Sequence, residues 1–375
     1  MTPYTHLTLP RRVNSTPTNR SWKWRYLSIA LLLAACAHAP EQKHTEGADG
    51  FSLGKPYPVT INGIDQMVMV HTNNESNPVL LVLHGGPGYA MLPLMHKVNP
   101  QLEDEFTVAN WDQRGAGLSP ETNKAHLTLE QLVDDAHKVS LWLMQKFGQQ
   151  KLYLLGHSFG TVLGDYLVKK YPADYFAFIG IGQTVNVTEN EQYGYDWAYG
   201  QAQSKGDKAA VDLLDAVGRP DNDGNYPGKV PSEYADQFDA GSDVTMHYVG
   251  LYGGDVYGAE NADQIDQLIF GSGIYEQDSW TTAWKFSQRI FDDPKVWAFN
   301  SKDPSQGFLD FKVPVYFFTG QHDYDTPVNL FEEYYALITS KKSYIQFQDS
   351  AHFPFYEQPG KFREELLTVK KDTYP

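Results

Sequence analysis

Short apolar runs alternate along this chain with segments of helical periodicity, and this alternation restricts the fold more than any other feature. The runs in the first half are Val79–Leu83, Phe106–Trp111, Leu152–Leu155 and Phe176–Ile181. Between the second and third runs, apolar residues recur at helical spacing from Thr128 to Phe147. Strands that alternate with helices form a parallel sheet covered on both faces. The sequence therefore predicts an α/β fold.

Further segments extend the predicted sheet at both ends. They are Val59–Ile61, Met67–His71, Val313–Thr319 and Tyr344–Phe347. Asn62 and Gly63 join the first two in a predicted hairpin, and a helix is predicted over 329–338 between the last two. The stretch 183–310 breaks the alternation and is rich in Tyr, Trp, Gly and Asp. We expect it to form a largely helical cap inserted between two strands.

The N-terminus has the pattern of a secretory signal. Basic residues precede the apolar run "YLSIALLLAA" at 26–35, which is too short to span a bilayer as a stable helix. The run ends at Cys36, the single cysteine, and so resembles a bacterial lipoprotein signal, in which the cysteine becomes the lipid-bearing N-terminus. We expect an exported, lipid-anchored envelope protein, at the outer membrane or facing the periplasm if the host is Gram-negative. An ordinary signal or an uncleaved anchor is the alternative.

The charge balance limits the partners of the folded part. The chain has 46 acidic and 30 basic residues, a formal net charge of −16, and removal of the basic signal makes it more negative. Nucleic acids and anionic membranes are bound through basic patches, so we expect neither as a partner of the folded domain. The lipid on Cys36 would hold the protein to the membrane. One cysteine also excludes an intramolecular disulfide framework.

Ser158 is the candidate nucleophile, in the sequence Gly156-His157-Ser158-Phe159-Gly160. An apolar strand precedes this motif and an apolar-faced helix follows it, which makes it more specific than the motif alone. The glycines permit a strand-to-helix turn so tight that a β-carbon would clash, and the turn exposes the serine. A serine needs a base to take its proton and a third group to orient that base.

Asp323 and His352 stand where a strand-to-helix serine of this kind requires its acid and its base. In that architecture the acid and then the histidine follow the serine, at the ends of the last strands. Asp323 follows the run that ends at Thr319, and His352 follows the run that ends at Phe347. Asp325 is the alternative acid. The remaining loop and motif histidines are interpreted as structural: His84, His96, His137, His157 and His322.

The glycine-rich run His84-Gly85-Gly86-Pro87-Gly88 predicts an oxyanion hole. A tetrahedral intermediate carries negative charge on the substrate oxygen, which two preorganised N–H groups must stabilise. Phe159, the residue after the serine, supplies one N–H, and Gly86 is placed to supply the other. A simple tight turn is the alternative interpretation.

Together these motifs resemble the proline iminopeptidase group of α/β-hydrolases. The resemblance rests on 84–88, on "WDQRGAGLS" at 111–119, on the serine motif and on the turns that contain Asp323 and His352. It implies the α/β-hydrolase fold and a Ser–Asp–His site without cofactor or metal, which releases N-terminal proline or a similar residue from peptides through an acyl-enzyme. The implied divisions are a signal at 1–35, a tether at 36–55, core segments at 56–182 and 311–375, and a cap at 183–310.

The resemblance does not cover the cap, so the substrate, a peptide or a small acyl compound, stays open. In the resembling enzymes, cap carboxylates bind the substrate's free amino group. Glu189, Glu191 and Asp196 are acidic residues of this cap, and none matches a family motif. An esterase or amidase on small acyl substrates is the alternative enzyme, and a non-catalytic surface binding lipoprotein is the alternative of another class. The sequence leaves the oligomeric state open.

Three further features are interpreted as structural. Asp112 and Arg114 follow a buried strand, where a charged pair needs partners, and a direct role with substrate is the alternative. The run at 221–224, "DNDG", resembles a calcium loop, but Arg219 and Val230 occupy positions that would require ligands. We therefore interpret that run as a solvated turn.

Overall fold

The structure of the chain is a computed structural model that describes residues 50–258 and 262–375. The predicted signal, Cys36 and most of the predicted tether lie outside the described residues. The compact unit considered below runs from Leu53 to Pro375. Within the described ranges, none of the helices combines the length and the apolarity that crossing a bilayer requires.

The described residues contain one sheet of eight strands. These are β1 Pro56–Ile61, β2 Ile64–His71, β3 Val79–Leu83, β4 Thr107–Trp111, β5 Leu152–His157, β6 Tyr175–Ile181, β7 Val315–Gly320 and β8 Lys342–Phe347. Their order across the sheet is β1-β2-β4-β3-β5-β6-β7-β8. The β1–β2 and β2–β4 pairs are antiparallel, and every later pair is parallel. The predicted mostly parallel sheet is confirmed.

Twelve α-helices accompany the sheet within the described ranges. They are α1 Leu94–Val98, α2 Leu129–Lys146, α3 Phe159–Lys170, α4 Val187–Lys205, α5 Lys208–Val217, α6 Gly241–Leu251, α7 Ala262–Phe270, α8 Gln277–Ser287, α9 Pro294–Trp297, α10 Val328–Leu337, α11 Pro354–Glu357 and α12 Pro359–Thr373. Short 3₁₀ turns lie at Pro100–Asp104, Lys124–His126, Pro172–Asp174, Ser232–Tyr234, Gln288–Asp292 and Pro304–Gln306.

Helices cover both faces of the sheet, which is why its central strands are apolar throughout. On one face, Phe362 of α12 shares a buried cluster with Tyr153 of β5. On the other face, α3 lies so close to β6 that a β-carbon on Gly164 would collide with the ring of Phe178. All five residues of β3 and of β4 are buried. A strand covered on both faces shows a continuous apolar run instead of alternation.

The element boundaries differ from the predicted ones for local reasons. β4 begins at Thr107 and not at Phe106, because the Phe106 N–H closes the preceding turn on Leu102 O at 2.8 Å. β7 begins after Pro314, which has no N–H for a strand ladder. Thr128 lies just outside α2 and caps it, since its hydroxyl accepts a hydrogen bond from Gln131 N at 3.2 Å.

The predicted helical cap lies between β6 and β7. Its first part, α4 to α6, has its own buried cluster, which includes Tyr195, Leu213 and Val244. Its second part, α7 and α8, adds Ile265 and Trp280 to the core cluster beside the sheet. The first part of the cap therefore forms a separate helical layer, and the second part extends the core beside the sheet. The parallel strands bring their carboxyl ends together beneath it.

Candidate active site

Ser158 lies in the connection between β5 and α3, with φ +54° and ψ −126°. Few non-glycine residues adopt a positive φ, and such strain is found at functional sites. A β-carbon on Gly156 would lie 2.6 Å from Gly160 O, and one on Gly160 would collide with Leu83 O. Both flanking glycines are therefore required by the tight turn. The serine side chain is partly exposed at the carboxyl edge of the sheet.

His352 and Asp323 meet in the loops that follow β8 and β7. His352 Nδ1 lies 2.9 Å from Asp323 Oδ2, and both side chains are buried. The Asp323 carboxylate also accepts hydrogen bonds from Thr326 N at 2.8 Å and Thr326 Oγ1 at 2.8 Å. The acid is thus fixed by its own turn and orients the imidazole.

The second ring nitrogen of His352 faces a different carboxylate. Nε2 lies 3.3 Å from Asp325 Oδ2. Ser158 Oγ makes no hydrogen bond to any residue that the structure describes, although the sequence analysis expects His352 to be its base. Burial lowers the pKa of His352, but Asp323 and Asp325 outweigh that effect and raise it well above its usual value. Both carboxylates therefore favour the protonated form of the imidazole.

The loop after β3 lies directly against the candidate nucleophile. A β-carbon on Gly85 would lie 2.6 Å from Ser158 Cβ. Gly86 has φ +107°, and a β-carbon there would lie 2.6 Å from Tyr89 N, so only glycine fits. Neither Gly86 N nor Phe159 N donates to an acceptor within the described ranges. Two unengaged N–H groups next to a serine have the features that an oxyanion hole requires.

His84 fixes this loop and is not itself placed to exchange protons. Its Nδ1 donates to Gly85 O at 2.9 Å, and its Nε2 accepts from Gln113 N at 3.1 Å. Gln113 Nε2 in turn donates to His84 O at 2.7 Å. Burial lowers the pKa of His84 to about 4, so the ring is neutral. The glycine loop and the loop after β4 therefore hold each other in position.

The charged residues of the loop after β4 find their partners inside the fold. Arg114 Nε lies 2.6 Å from Asp135 Oδ2, and its Nη1 lies 3.0 Å from Glu121 Oε2. Asp112 accepts from Tyr275 OH at 2.7 Å, and burial raises its pKa to about 7. These contacts agree with the structural interpretation of Asp112 and Arg114.

Comparison with known proteins agrees with this geometry. The family described as alpha/beta hydrolase fold matches residues 78–205, which include the glycine loop and the serine turn. A solved proline iminopeptidase-related protein from Thermus thermophilus superposes with a TM-score of 0.57 at 20% identity, over 86% of this chain and 98% of that one. The chain has the α/β-hydrolase fold.

Two curated relatives extend the likeness along most of the chain. A probable aminopeptidase, YbaC, of Bacillus subtilis (strain 168) is 29% identical over 318 residues, which cover 82% of this chain and 93% of the relative. A proline iminopeptidase of Heyndrickxia coagulans is 24% identical over 305 residues, which cover 80% of this chain and 91% of the relative. Both matches therefore extend well beyond the stretch that the family covers.

Sequence analysis missed the residue that holds the histidine loop of this α/β-hydrolase. The carboxylate of Glu357 accepts hydrogen bonds from Ala351 N at 3.0 Å, Phe353 N at 3.1 Å and Tyr257 N at 2.5 Å, and also from the Ser350 hydroxyl. It thereby ties the backbone on both sides of the base to the cap. A glutamate at the end of a one-turn helix carries no motif, so only its position shortly after the candidate histidine could have pointed to it.

The cap is hydrogen-bonded to the loops that carry Asp323 and His352. His352 N donates to Asp255 O at 2.8 Å, and Tyr324 N donates to Gly254 O at 2.8 Å. The Tyr324 ring stacks on Trp197 of α4, with ring centres 4.2 Å apart. The cap segment 254–255 therefore forms part of the site.

Of the three cap carboxylates considered from the sequence, Glu191 is the one that interacts with the acid turn. Glu189 pairs with Lys302 at 2.5 Å, and Asp196 pairs with Arg219 at 2.7 Å on the exterior. Burial raises the pKa of Glu191 to about 7, and Tyr226 OH donates to its carboxylate at 2.8 Å.

Asp325 lies at the centre of a partly exposed acidic group. Desolvation raises the pKa of Asp325, His352 lowers it, and the nearby carboxylates of Asp255, Asp323 and Glu191 raise it. Its backbone oxygen accepts from Asn190 Nδ2 of α4 at 2.5 Å, which brings the start of that helix to the acid turn. We call Glu191, Asp255 and Asp325 the acidic group below.

A cavity of about 550 Å³ lies within the cap and is lined by one member of the acidic group, Glu191. Glu191, Tyr226, Phe238 and Trp297 are among its lining residues, and Gln288 lines it as well. The Gln288 amide donates to Pro87 O of the glycine loop. The cavity therefore extends from a cap carboxylate to a residue that contacts the candidate oxyanion loop.

Among the described residues, one group of potential metal ligands has its ligand atoms within 4.8 Å of one another. His71, His96 and Glu103 lie close together, but the two rings are stacked with centres 4.0 Å apart, so their in-plane lone pairs run side by side. His96 Nδ1 already contacts Glu103 at 2.6 Å. At 221–224, Asp221 Oδ1 accepts from the backbone N of Asp223 at 2.9 Å, which is a local turn.

Proposed function

We propose that this α/β-hydrolase is a serine aminopeptidase that releases proline, or a similar residue, from the N-terminus of peptides. The observation that carries the proposal is the acidic group beside the Asp323–His352 pair. A peptide N-terminus is an ammonium group at neutral pH, and it is the part of a peptide that these carboxylates would recognise. The names of the two curated relatives support the same reaction class.

Charge favours a cationic ligand over a neutral one. Asp323, Asp325 and Asp255 act electrostatically on His352, and Glu191 acts on Asp325. Carboxylates that lie close together repel one another, so a ligand that brings a positive charge stabilises them. At 4 Å and an effective dielectric of about 20, one such pair is worth about 4 kcal/mol. A substrate with a blocked amine offers no such contact.

The reaction follows from the placement of the groups. Ser158 Oγ attacks the carbonyl of the first residue while His352 Nε2 takes the hydroxyl proton, and Asp323 keeps the ring oriented. Gly86 N and Phe159 N stabilise the oxyanion. His352 then gives the proton to the departing amine. Water then enters and loses a proton to His352 as its oxygen bonds to the acyl carbon, and His352 returns that proton to Ser158 Oγ as the acyl–serine bond breaks.

The test compares two substrates with the purified protein. A fluorogenic prolyl amide should be hydrolysed, whereas its N-acetylated form should not, and Ser158→Ala should abolish turnover. Glu191→Gln should raise KM for the free amine, because it removes one recognising charge. Asp196→Asn is the matched control, since that carboxylate pairs with Arg219 outside the site. Serine-dependent cleavage of short esters with no cleavage of either amide would refute the aminopeptidase in favour of an esterase.

We also propose that the chain is exported and anchored through lipid on Cys36. The support is the sequence pattern alone: an apolar run that ends in small residues before the single cysteine. Mass spectrometry of the membrane fraction should find a mature chain that begins at Cys36 and carries lipid. An unmodified Cys36 in the mature chain would contradict the proposal.

A further inference from the structure

Carboxylates of one turn face both ring nitrogens of His352. Asp323 Oδ2 lies 2.9 Å from Nδ1 and is hydrogen-bonded to it, and Asp325 Oδ2 lies 3.3 Å from Nε2 as an ion pair. Orienting the ring needs only the first contact, and the second lies at the nitrogen that must receive the Ser158 proton. We propose that Asp325 holds His352 idle in the free enzyme by pairing with its charge at Nε2, and that the substrate's ammonium group takes over Asp325 and frees Nε2.

Asp325 is placed to exchange one cation for another. Its side chain is 26% exposed, so a ligand can reach it, whereas the His352 side chain is 2% exposed. Its backbone is fixed on both sides, because its N–H donates to Asp323 Oδ1 at 3.1 Å and its carbonyl accepts from Asn190 at 2.5 Å. The carboxylate can therefore change partner without movement of the turn.

Titratable groups from three elements face His352, and the carboxylates among them favour its cationic form. Asp323 and Asp325 come from the turn after β7, and Asp255 comes from the cap; all three raise the pKa of His352. The ring of His157 of β5 is tilted against that of His352, with ring centres 4.6 Å apart, and burial keeps His157 neutral by lowering its pKa. At neutral pH the base therefore carries the proton that it must lose before it can act.

Binding of an ammonium group reverses this balance. The ligand's positive charge neutralises Asp325, so the pKa of His352 falls and the Nε2 proton leaves to solvent. One proton departs for each ammonium bound, and the freed lone pair can then accept the Ser158 proton. The identity of the trigger rests on the proposed function, because it takes the ligand to be a peptide N-terminus. Selectivity for free amines would then appear in kcat as well as in KM.

The test uses a fluorophosphonate, which needs the base but no amine. Ser158 Oγ forms a bond to phosphorus, fluoride leaves, and His352 passes the serine proton to solvent. The wild-type labelling rate should rise with pH to a midpoint well above 7. Asp325→Asn should move the midpoint down by one unit or more, so that labelling at pH 7 is about tenfold faster. Asp196→Asn should follow the wild type.

A second arm tests the trigger. Prolinamide should accelerate wild-type labelling at pH 7 and should leave Asp325→Asn unaffected. Superimposable pH profiles of wild type and Asp325→Asn, with unchanged thermal unfolding of the variant, would overturn the inference. A shifted profile without any response to prolinamide would overturn the ammonium trigger.

The same experiments distinguish failure of the proposed function from failure of the inference about Asp325. A shifted profile in a protein that hydrolyses no prolyl amide would refute the aminopeptidase and keep the Asp325 contact. If no pH gave labelling of Ser158, both proposals would be refuted, because the nucleophile itself would be wrong.

Discussion

Glu357→Gln tests how strongly one carboxylate holds the loop that carries the candidate base. Glu357 Oε2 accepts from Ala351 N and Phe353 N, and Oε1 accepts from Tyr257 N. A glutamine keeps the shape and one acceptor oxygen, but it turns an NH₂ group toward N–H donors that previously had a partner. The variant thus loses at least one hydrogen bond to a charged acceptor, worth about 1.5–3 kcal/mol, and leaves a partly buried donor unsatisfied.

We expect Glu357→Gln to lower the free energy of unfolding by about 2–4 kcal/mol. Because the same loop orients His352, kcat for the prolyl amide should fall more than KM rises. Chemical denaturation and steady-state kinetics measure the two effects. Glu364→Gln is the matched control, since Glu364 is exposed on α12 of the same C-terminal segment. A loss below about 0.5 kcal/mol with unchanged kcat would refute the reasoning.

Three further substitutions test other positions: a glycine of the serine turn, a buried carboxyl and a buried arginine. Gly160→Ala should lower the free energy of unfolding by at least about 3 kcal/mol, because its β-carbon would collide with Leu83 O. Gly200→Ala, in open space on α4, is the control and should not lower it; chemical denaturation measures both. Burial raises the pKa of Asp165, so the folded carboxyl stays protonated and wild-type stability falls as pH rises above about 4. Asp165→Asn should therefore be more stable than wild type at pH 8 but not at pH 4, as unfolding at both pH values will show. Arg114→Lys should lose about 3 kcal/mol on denaturation, since lysine cannot hold Asp135 and Glu121 together.

The sheet and the position of the serine turn could be predicted because their signals are local. β3 and β5 are runs of consecutive buried residues, and Gly156 and Gly160 are required by backbone approaches within a few residues of Ser158 or on the neighbouring strand. The sequence signals of these features, an apolar run and the two glycines around a serine, each lie within one stretch of sequence. A single chain therefore suffices to recognise them.

The acidic group could not be predicted, because its members come from three distant segments. Glu191 is on α4, Asp255 is in the middle of the cap, and Asp325 is beyond β7. Each is an ordinary acidic residue in an acidic chain, and from the sequence Asp325 is only a substitute for Asp323. Only the packing of the turn after β7 against the loop after β8 shows that Asp325 contacts the opposite nitrogen of the ring.

The hydrogen bond from His352 N to Asp255 O joins the cap to the loop that carries the candidate base, so the position of that loop depends on the position of the cap. A ligand that displaced segment 254–255 would break this bond and the Tyr324–Gly254 bond together. We therefore expect such a ligand to react more slowly than one that leaves both bonds intact.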